Sequence, residues 1–392
     1  MRNVTAALAE GPDFFDRIKE MNNFWRDLET DNLLLLAPRR VGKTALMHKM
    51  AANAGAYGFN IIFVDVSDCS SEMHFMQRLY EAICDADVDD NLWNDLKDSW
   101  LGKTVKRVRK IGGAGFSLEF DADGAARTRL SEELADTLSR LEGAWLIQVD
   151  ELPVFVLKLL NQDASAGRAR VREFLYWMRR LRLQYTGVRW MLAGSIGLDT
   201  VAARLNIADA INDLHIVTLG AFDEPTTDAL LQALATEHRV DLKGIVRRHI
   251  VSRIGWTAPY YVQLVFHELR SIEGAVTEAD VDRAIEDLLS PYHRNAFDYW
   301  RQRLPDELGQ THADNAVILL DQCCRAPEGA MRFTLNLALA RTIGDARIRA
   351  EETRYLLAVL QNDGYIVHEG DRLLFRSPLL REYWLRTVAP QE

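Results

Sequence analysis

The first strong pattern along the chain is an unbroken apolar run, Leu33 to Leu36, set off before it by Asp31-Asn32. Apolar residues in sequence, without alternation, mark a strand buried on both faces, as in a parallel sheet. The run "NIIFVDV" at 60–66 repeats the pattern, as do Ala144 to Val149 and "GVRWMLAGSIG", which ends at Gly194-Ser195. Between these runs the period shifts to that of helices. "ALMHKMAANAG" predicts a helix ending near Gly55, and another helix runs to about Cys84. After the strand at 144–149, Val171, Phe174, Leu175, Met178 and Leu181 share one helical face. Strands alternating with helices predict an α/β core around a parallel sheet.

The pattern changes at about Leu219. Residues 219–290 read as mostly helical, with Pro225 and Pro259 placed to open helices. From Pro291 several helices precede two short strands, Tyr365 to His368 and Arg372 to Phe375, around a Glu-Gly-Asp turn. Helices followed by a hairpin suggest a winged helix. The expected division is therefore a core at 1–218, a helical lid at 219–290 and a winged-helix domain at 291–392. The segment 87–130 is the least regular. Within it "KTVKRVRKIGGAGFSLEF" alternates basic and apolar residues before Gly112, Gly113 and Gly115, which predicts a hairpin or an edge-strand pair.

Composition narrows the class. A net charge of −10 argues against a wholesale nucleic-acid coat and leaves room for local basic patches. Two stretches qualify for attention. Ser165–Arg189 holds seven arginines and one glutamate, whereas 291–392 holds thirteen arginines, no lysine and fourteen acids, close to neutral. The four cysteines, Cys69, Cys84, Cys323 and Cys324, form no Cys-x-x-Cys pair, which fits buried thiols in a reducing cytoplasm and no zinc site. The start "MRNVTAALAEGPDFF" lacks the apolar core of a signal peptide, and no apolar run approaches the ~20 residues of a membrane span. Cytoplasmic residence without a membrane partner is expected.

The chemistry begins after the first strand. The loop "APRRVGKTA", Ala37, Pro38, Arg39, Arg40, Val41, Gly42, Lys43, Thr44 and Ala45, lies between a strand and a helix. That is the setting in which backbone N–H groups and a helix N-terminus cradle phosphates. Lys43 is placed to reach the β- and γ-phosphates of ATP, and Thr44 to hold Mg²⁺ through its hydroxyl. The pattern usually opens on glycine, and Ala37 stands there instead. The residue before a proline is pushed toward an extended conformation, which alanine tolerates. The glycine that matters is then Gly42. A second Gly-Lys-Thr triplet, at 102–104, has no apolar strand before it.

A phosphate loop predicts a second strand ending in an acid. "AWLIQVDELP" supplies it, with Asp150-Glu151 at the carboxyl end, where ligands of open α/β sheets bind. Asp150 would act on Mg²⁺, and Glu151 would polarise the attacking water. Ser195, at the tip of the next strand, would sense the γ-phosphate. The rival reading takes "AGSIG" for a nucleophile elbow with Ser195 as nucleophile, but its first glycine is Ala193 and such an enzyme has no use for a phosphate loop.

With these pieces the sequence resembles the archaeal-type ATPases, STAND-like relatives of the AAA+ proteins that also occur in bacteria. The resemblance rests on "FFDRIKEMNNFWRDLETDNLLLLAPRRVGKTALM", "LIQVDEL", "WMLAGS", "GWTAPYYVQLVFHELR" and "LLFRSPLLREYW", and it spans about Phe14 to Trp384. It implies an ATPase core, a helical lid and a winged helix, with bound ATP or ADP. It further implies that Phe15 and Arg17 lie near the entrance to the base pocket. Adenine would be touched by a Gly-x-Pro segment, here Gly255 to Pro259 with longer spacing. Many members carry Tyr-Gly-Arg downstream of the serine; here it is missing, and Arg204 is the nearest basic residue.

The expected function is that of a slow ATPase acting as a nucleotide-controlled switch, with a protein client or self-association as the output. Two alternatives stand beside it. One is an ATP-controlled DNA-binding protein of the initiator or transposition-helper kind, using the winged helix and the Ser165–Arg189 arginines. The other is a nucleotide-binding scaffold, or a defence or signalling sensor, with little turnover.

Overall fold

A computed structural model describes residues 1–5, 7–86, 124–163, 165–195, 197–291, 293 and 295–389 of the chain, with the backbone alone at 124–126. The hairpin or edge-strand pair expected at 103–120 lies outside the described residues. The core is built from α1 (Ile18–Leu28), β1 (Asn32–Leu36), α2 (Lys43–Asn53), β2 (Phe59–Asp65), α3 (Glu72–Asp85), α4 (Gly124–Ser139), β3 (Ala144–Asp150), α5 (Leu152–Gln162), α6 (Gly167–Gln184), β4 (Val188–Gly194), α7 (Leu198–Leu205) and β5 (Leu214–Thr218).

The strands form one sheet in the order β2-β3-β4-β1-β5, and every neighbouring pair is parallel. Leu33, Leu34 and Leu35 are fully buried, as a central strand covered on both faces requires. The order has one consequence for the site. β4 lies between the strand that feeds the loop and the strand that ends in acid. Its tip at Gly194-Ser195 therefore stands between the carboxyl ends of β1 and β3. β5 is absent from the expectations above. It pairs with β1 at the sheet edge, burying Leu214 and Val217 while exposing His215, Ile216 and Thr218. That spacing is neither continuous nor alternating, so periodicity gives no signal.

After β5 come α8 (Glu224–His238), α9 (Gly244–Ile254), α10 (Pro259–Leu269) and α11 (Glu278–Leu289). Asp223 caps α8 ahead of Pro225, and Pro259 opens α10. The rest comprises α12 (Asn295–Leu308), α13 (Gln310–Arg325), β6 (Ala330–Met331), α14 (Arg332–Ala338), α15 (Ala346–Asp363), β7 (Ile366–Glu369), β8 (Arg372–Phe375) and α16 (Pro378–Thr387). The strands here form an antiparallel sheet in the order β6-β8-β7.

This C-terminal part packs on both preceding parts: α12 on α5, α15 on α7, and α16 on α9. One close approach is at Gly364, just past α15. A Cβ there would stand 3.1 Å from both Pro38 and Trp256, and its φ is +100°. Glycine thus lets the end of α15 press against the phosphate loop. Among the described residues no helix is long and apolar enough to cross a membrane.

Candidate functional site

β1 delivers the chain into the loop at the carboxyl edge of the sheet. Ala37 is buried and its backbone stays out of the left-handed region, so glycine is not required there. Gly42, by contrast, has φ +91° and is the N-cap of α2. α2 starts at Lys43, two residues earlier than the sequence pattern suggests, which places Lys43 and Thr44 in its first turn with their N–H groups unpaired by the helix.

Four predicted polar residues meet. The Lys43 ammonium donates to Asp150 Oδ1 and, at 3.0 Å, to Glu151 Oε1. Thr44 Oγ1 donates to Asp150 Oδ2 at 2.7 Å. All three acceptor atoms belong to the end of β3, 106 to 108 residues away in sequence. Asp150 Oδ1 also accepts from the Glu151 N–H at 2.9 Å, and Glu151 itself sits at φ +59° as the cap of α5. Burial alone would lower the pKa of Lys43, but the Glu151 and Asp150 carboxylates outweigh it and hold the ammonium above its ordinary value. Burial would likewise raise Glu151, yet Lys43 and then Arg39 hold it below the usual carboxylate range. Glu151 is therefore an anion at neutral pH. Its Oε2 is buried without a hydrogen-bond partner among the described residues.

Ser195 is buried beside this group, and its Oγ has no hydrogen-bond partner among the described residues. No base is set on it, so the arrangement of an activated serine nucleophile is missing. Ser195 and Glu151 line a cavity of about 330 Å³ with Pro38 to Arg40 and Gly42 to Ala45 of the loop, together with Pro259, Tyr260 and Gln263 of α10 and Tyr299 of α12. A smaller space continues from it between Phe15, Arg17, Phe222, Pro259 and Gln263. Arg17 is buried and donates to the carbonyls of Val41 (3.0 Å) and Gly220 (2.7 Å), with its guanidinium 4.3 Å from the centre of the Phe222 ring. Phe15 meets the same ring edge-on. Apart from Ala37 and Asp150, the predicted site residues line one or the other of these two spaces, and N-terminal residues Val4, Ala7 and Leu8 form part of the larger one's wall.

A hydroxyl and a carboxylate that share a bond at Thr44 and Asp150 form a hard-oxygen pair suited to Mg²⁺. One other group among the described residues brings metal-binding donors together, Asp68, Cys69 and His74. Its Asp68 carboxylate is already paired with Arg78, and burial pushes the Cys69 thiol up to about 12.

Sequence reasoning missed the fate of Arg39. Its side chain borders the cavity and bonds the Glu307 carboxylate and the Tyr299 hydroxyl (2.7 Å), with Asp363 Oδ1 3.4 Å from Nε. Arg303 bonds the same two acids, Glu307 at 2.5 Å and Asp363 at 2.6 Å. Two arginines and two carboxylates form a buried cluster between the phosphate loop and the C-terminal part. No local spacing could announce partners so distant in sequence.

The Ser165–Arg189 arginines are mostly used internally. Arg170 pairs with Glu72, Arg182 with Asp213 and the Ala210 carbonyl, Arg179 with Asn212 and Asp213, and Arg189 with the Leu28 and Glu29 carbonyls. The stretch is basic in sequence without being a free cationic surface. Arg204, on α7, is likewise tied to His312 (2.8 Å) and stacked 3.8 Å over Tyr355.

Comparison with known proteins bears on the fold. No family model and no curated protein matches the chain. Among solved structures, the Walker-type ATPase PABY2304 of Pyrococcus abyssi aligns over 97% of this chain and 99% of its own, with 18% identity and a TM-score of 0.61. The Aeropyrum pernix ORC1 protein, solved in complex with DNA, aligns over 96% and 94% at 15% identity with a TM-score of 0.43. The Thermotoga maritima RuvB Holliday junction branch migration motor aligns over 94% of each chain at 14% identity with a TM-score of 0.42. The chain therefore shares the fold of the Pyrococcus abyssi protein, a parallel-sheet α/β core of the P-loop kind.

Proposed function

We propose that the protein binds and hydrolyses ATP, and that the nucleotide acts as a switch on the C-terminal part. The supporting observation is the Arg39 cluster. One residue of the phosphate loop is fixed by carboxylates of α12 and α15, so a change in the loop is felt by the C-terminal part directly. Buried charge clusters of this kind favour discrete arrangements over continuous adjustment, because a half-broken pair leaves an uncompensated charge.

In this reading Lys43 and the loop N–H groups hold the phosphates, and Ser195 donates to the γ-phosphate. Thr44 and Asp150 hold Mg²⁺, which offsets phosphate charge. The Glu151 carboxylate accepts a hydrogen bond from the attacking water and orients it toward the γ-phosphorus. Phe15, Arg17 and Pro259 line the base end. Residues 1–218 act as the ATPase core, 219–290 as the lid and 291–392 as a winged-helix module, working in the cytoplasm on a protein client or a second copy. The test is ATP binding by the purified protein, measured calorimetrically. Lys43→Ala removes it; binding that survives this change would sink the assignment.

A second reading, ATP-controlled binding to duplex DNA, is favoured by one surface. Arg332 at the start of α14, Arg341 just after it, and Arg347 and Arg354 on α15 are exposed, and none pairs with a carboxylate among the described residues. Such a surface neutralises phosphates, so binding would weaken steeply with salt. Duplex affinity that is unchanged when Arg347 and Arg354 become Glu would remove this reading.

A further inference from the structure

Arg40 has a setting that the roles of Lys43, Thr44 and Glu151 leave unexplained. Its φ is +70°, a left-handed conformation that is unfavourable for a non-glycine residue. Its guanidinium lies 4.0 Å from the centre of the Tyr260 ring and 5.5 Å from that of Tyr299. One ring is carried by α10 and the other by α12. Arg40 and both rings line the same cavity as Lys43, Glu151 and Ser195. Arg39 next to it is claimed by Glu307 and Asp363, but no carboxylate pairs with Arg40 among the described residues. A half-buried guanidinium braced on aromatic faces and lacking a counter-ion is ready for an anion.

We propose that Arg40 is the second cation of the site, bonding the terminal phosphate of the triphosphate from within the same chain. This rests on reading the cavity as an ATP site. In hydrolysis the water oxygen bonds to the γ-phosphorus while the bond from that phosphorus to the β–γ bridging oxygen breaks. The electron pair leaves with ADP, and a water proton passes to the Glu151 carboxylate. Arg40 holds the charge spread over the γ-phosphate oxygens during this exchange. Removal of the γ-phosphate frees the guanidinium from its anion while it still touches rings from two other parts of the fold.

The experiment is calorimetric binding of ADP and of a non-hydrolysable ATP analogue to the full chain, as wild type, Arg40→Ala, Arg40→Gly and Lys43→Ala. Both Arg40 variants lose affinity for the analogue about tenfold or more, the size of one charge-assisted bond, and keep ADP affinity within about twofold. Retained ADP binding shows that they are folded. Glycine relieves the positive φ and alanine does not, so equal losses assign the effect to the guanidinium. An unchanged ratio of analogue to ADP affinity in the Arg40 variants, with binding abolished by Lys43→Ala, overturns the Arg40 role alone. Wild type that binds neither nucleotide overturns the ATP site and the Arg40 role together.

Discussion

Arg39 of the phosphate loop forms an ion pair with Glu307, 268 residues further along the chain, and the pair is buried between the loop and α12. Asp363 and Arg303 complete the cluster. The arrangement makes the loop part of the interface that holds the C-terminal segment. A double-mutant cycle on Arg39→Ala and Glu307→Ala, read from urea unfolding, gives a coupling of about 1 kcal/mol or more. Additive effects would mean that the two residues do not sense each other.

Glu151 is assigned to orient water and not to hold nucleotide. Glu151→Gln therefore keeps ATP affinity near wild type while turnover falls about a hundredfold or more. Single-turnover kinetics with excess enzyme separates the two effects. Unchanged turnover would move the role to another residue.

The same carboxylate predicts a pH effect on stability. Although burial favours its neutral form, Lys43 and Arg39 hold Glu151 below the usual carboxylate range. Its folded pKa thus lies under the unfolded value of about 4.3. The stabilisation it provides is fully present above that unfolded value and is lost as pH falls through the folded one. In Glu151→Gln this loss is gone, so unfolding free energy declines less steeply on acidification, by up to about 1.4 kcal/mol per pH unit. Urea titrations from neutral pH into the acid range check the slope, and parallel curves would contradict the assigned shift.

The arginine-rich stretch yields a contrast between neighbours. Arg182 is buried and bonds both Asp213 oxygens, at 2.7 and 2.9 Å. Arg182→Ala leaves Asp213 poorly compensated and costs about 3 kcal/mol or more. Arg180 is exposed, and Arg180→Ala stays within about 0.5 kcal/mol of wild type. Thermal and urea unfolding of the two variants measure the difference. Equal effects would mean that the ion pair contributes little.

These contrasts show what could be read from the sequence. The leucine run of β1, the Asp150-Glu151 strand end and the Gly42-Lys43-Thr44 turn are local patterns, each set by residues within one element. Their meeting follows from the alternation of strand and helix. β5 escaped because an edge strand with Leu214 and Val217 buried matches no simple period. β6 escaped because it is only two residues long. The Arg39 cluster escaped for a different reason. Arginine in a loop reads as solvated, and its acids at 307 and 363 belong to helices whose own patterns explain them adequately.

The account stands most directly on hydrogen–deuterium exchange across 357–366, where α15 ends against Pro38 and Arg39. Comparison is between the protein without nucleotide and with a non-hydrolysable ATP analogue, in wild type and in Arg39→Ala. The account predicts that the analogue changes exchange in this segment of wild type, and that Arg39→Ala abolishes the change while still binding the analogue. Saturating analogue that leaves exchange at 357–366 unaltered in wild type would contradict the claim that the nucleotide controls the C-terminal part.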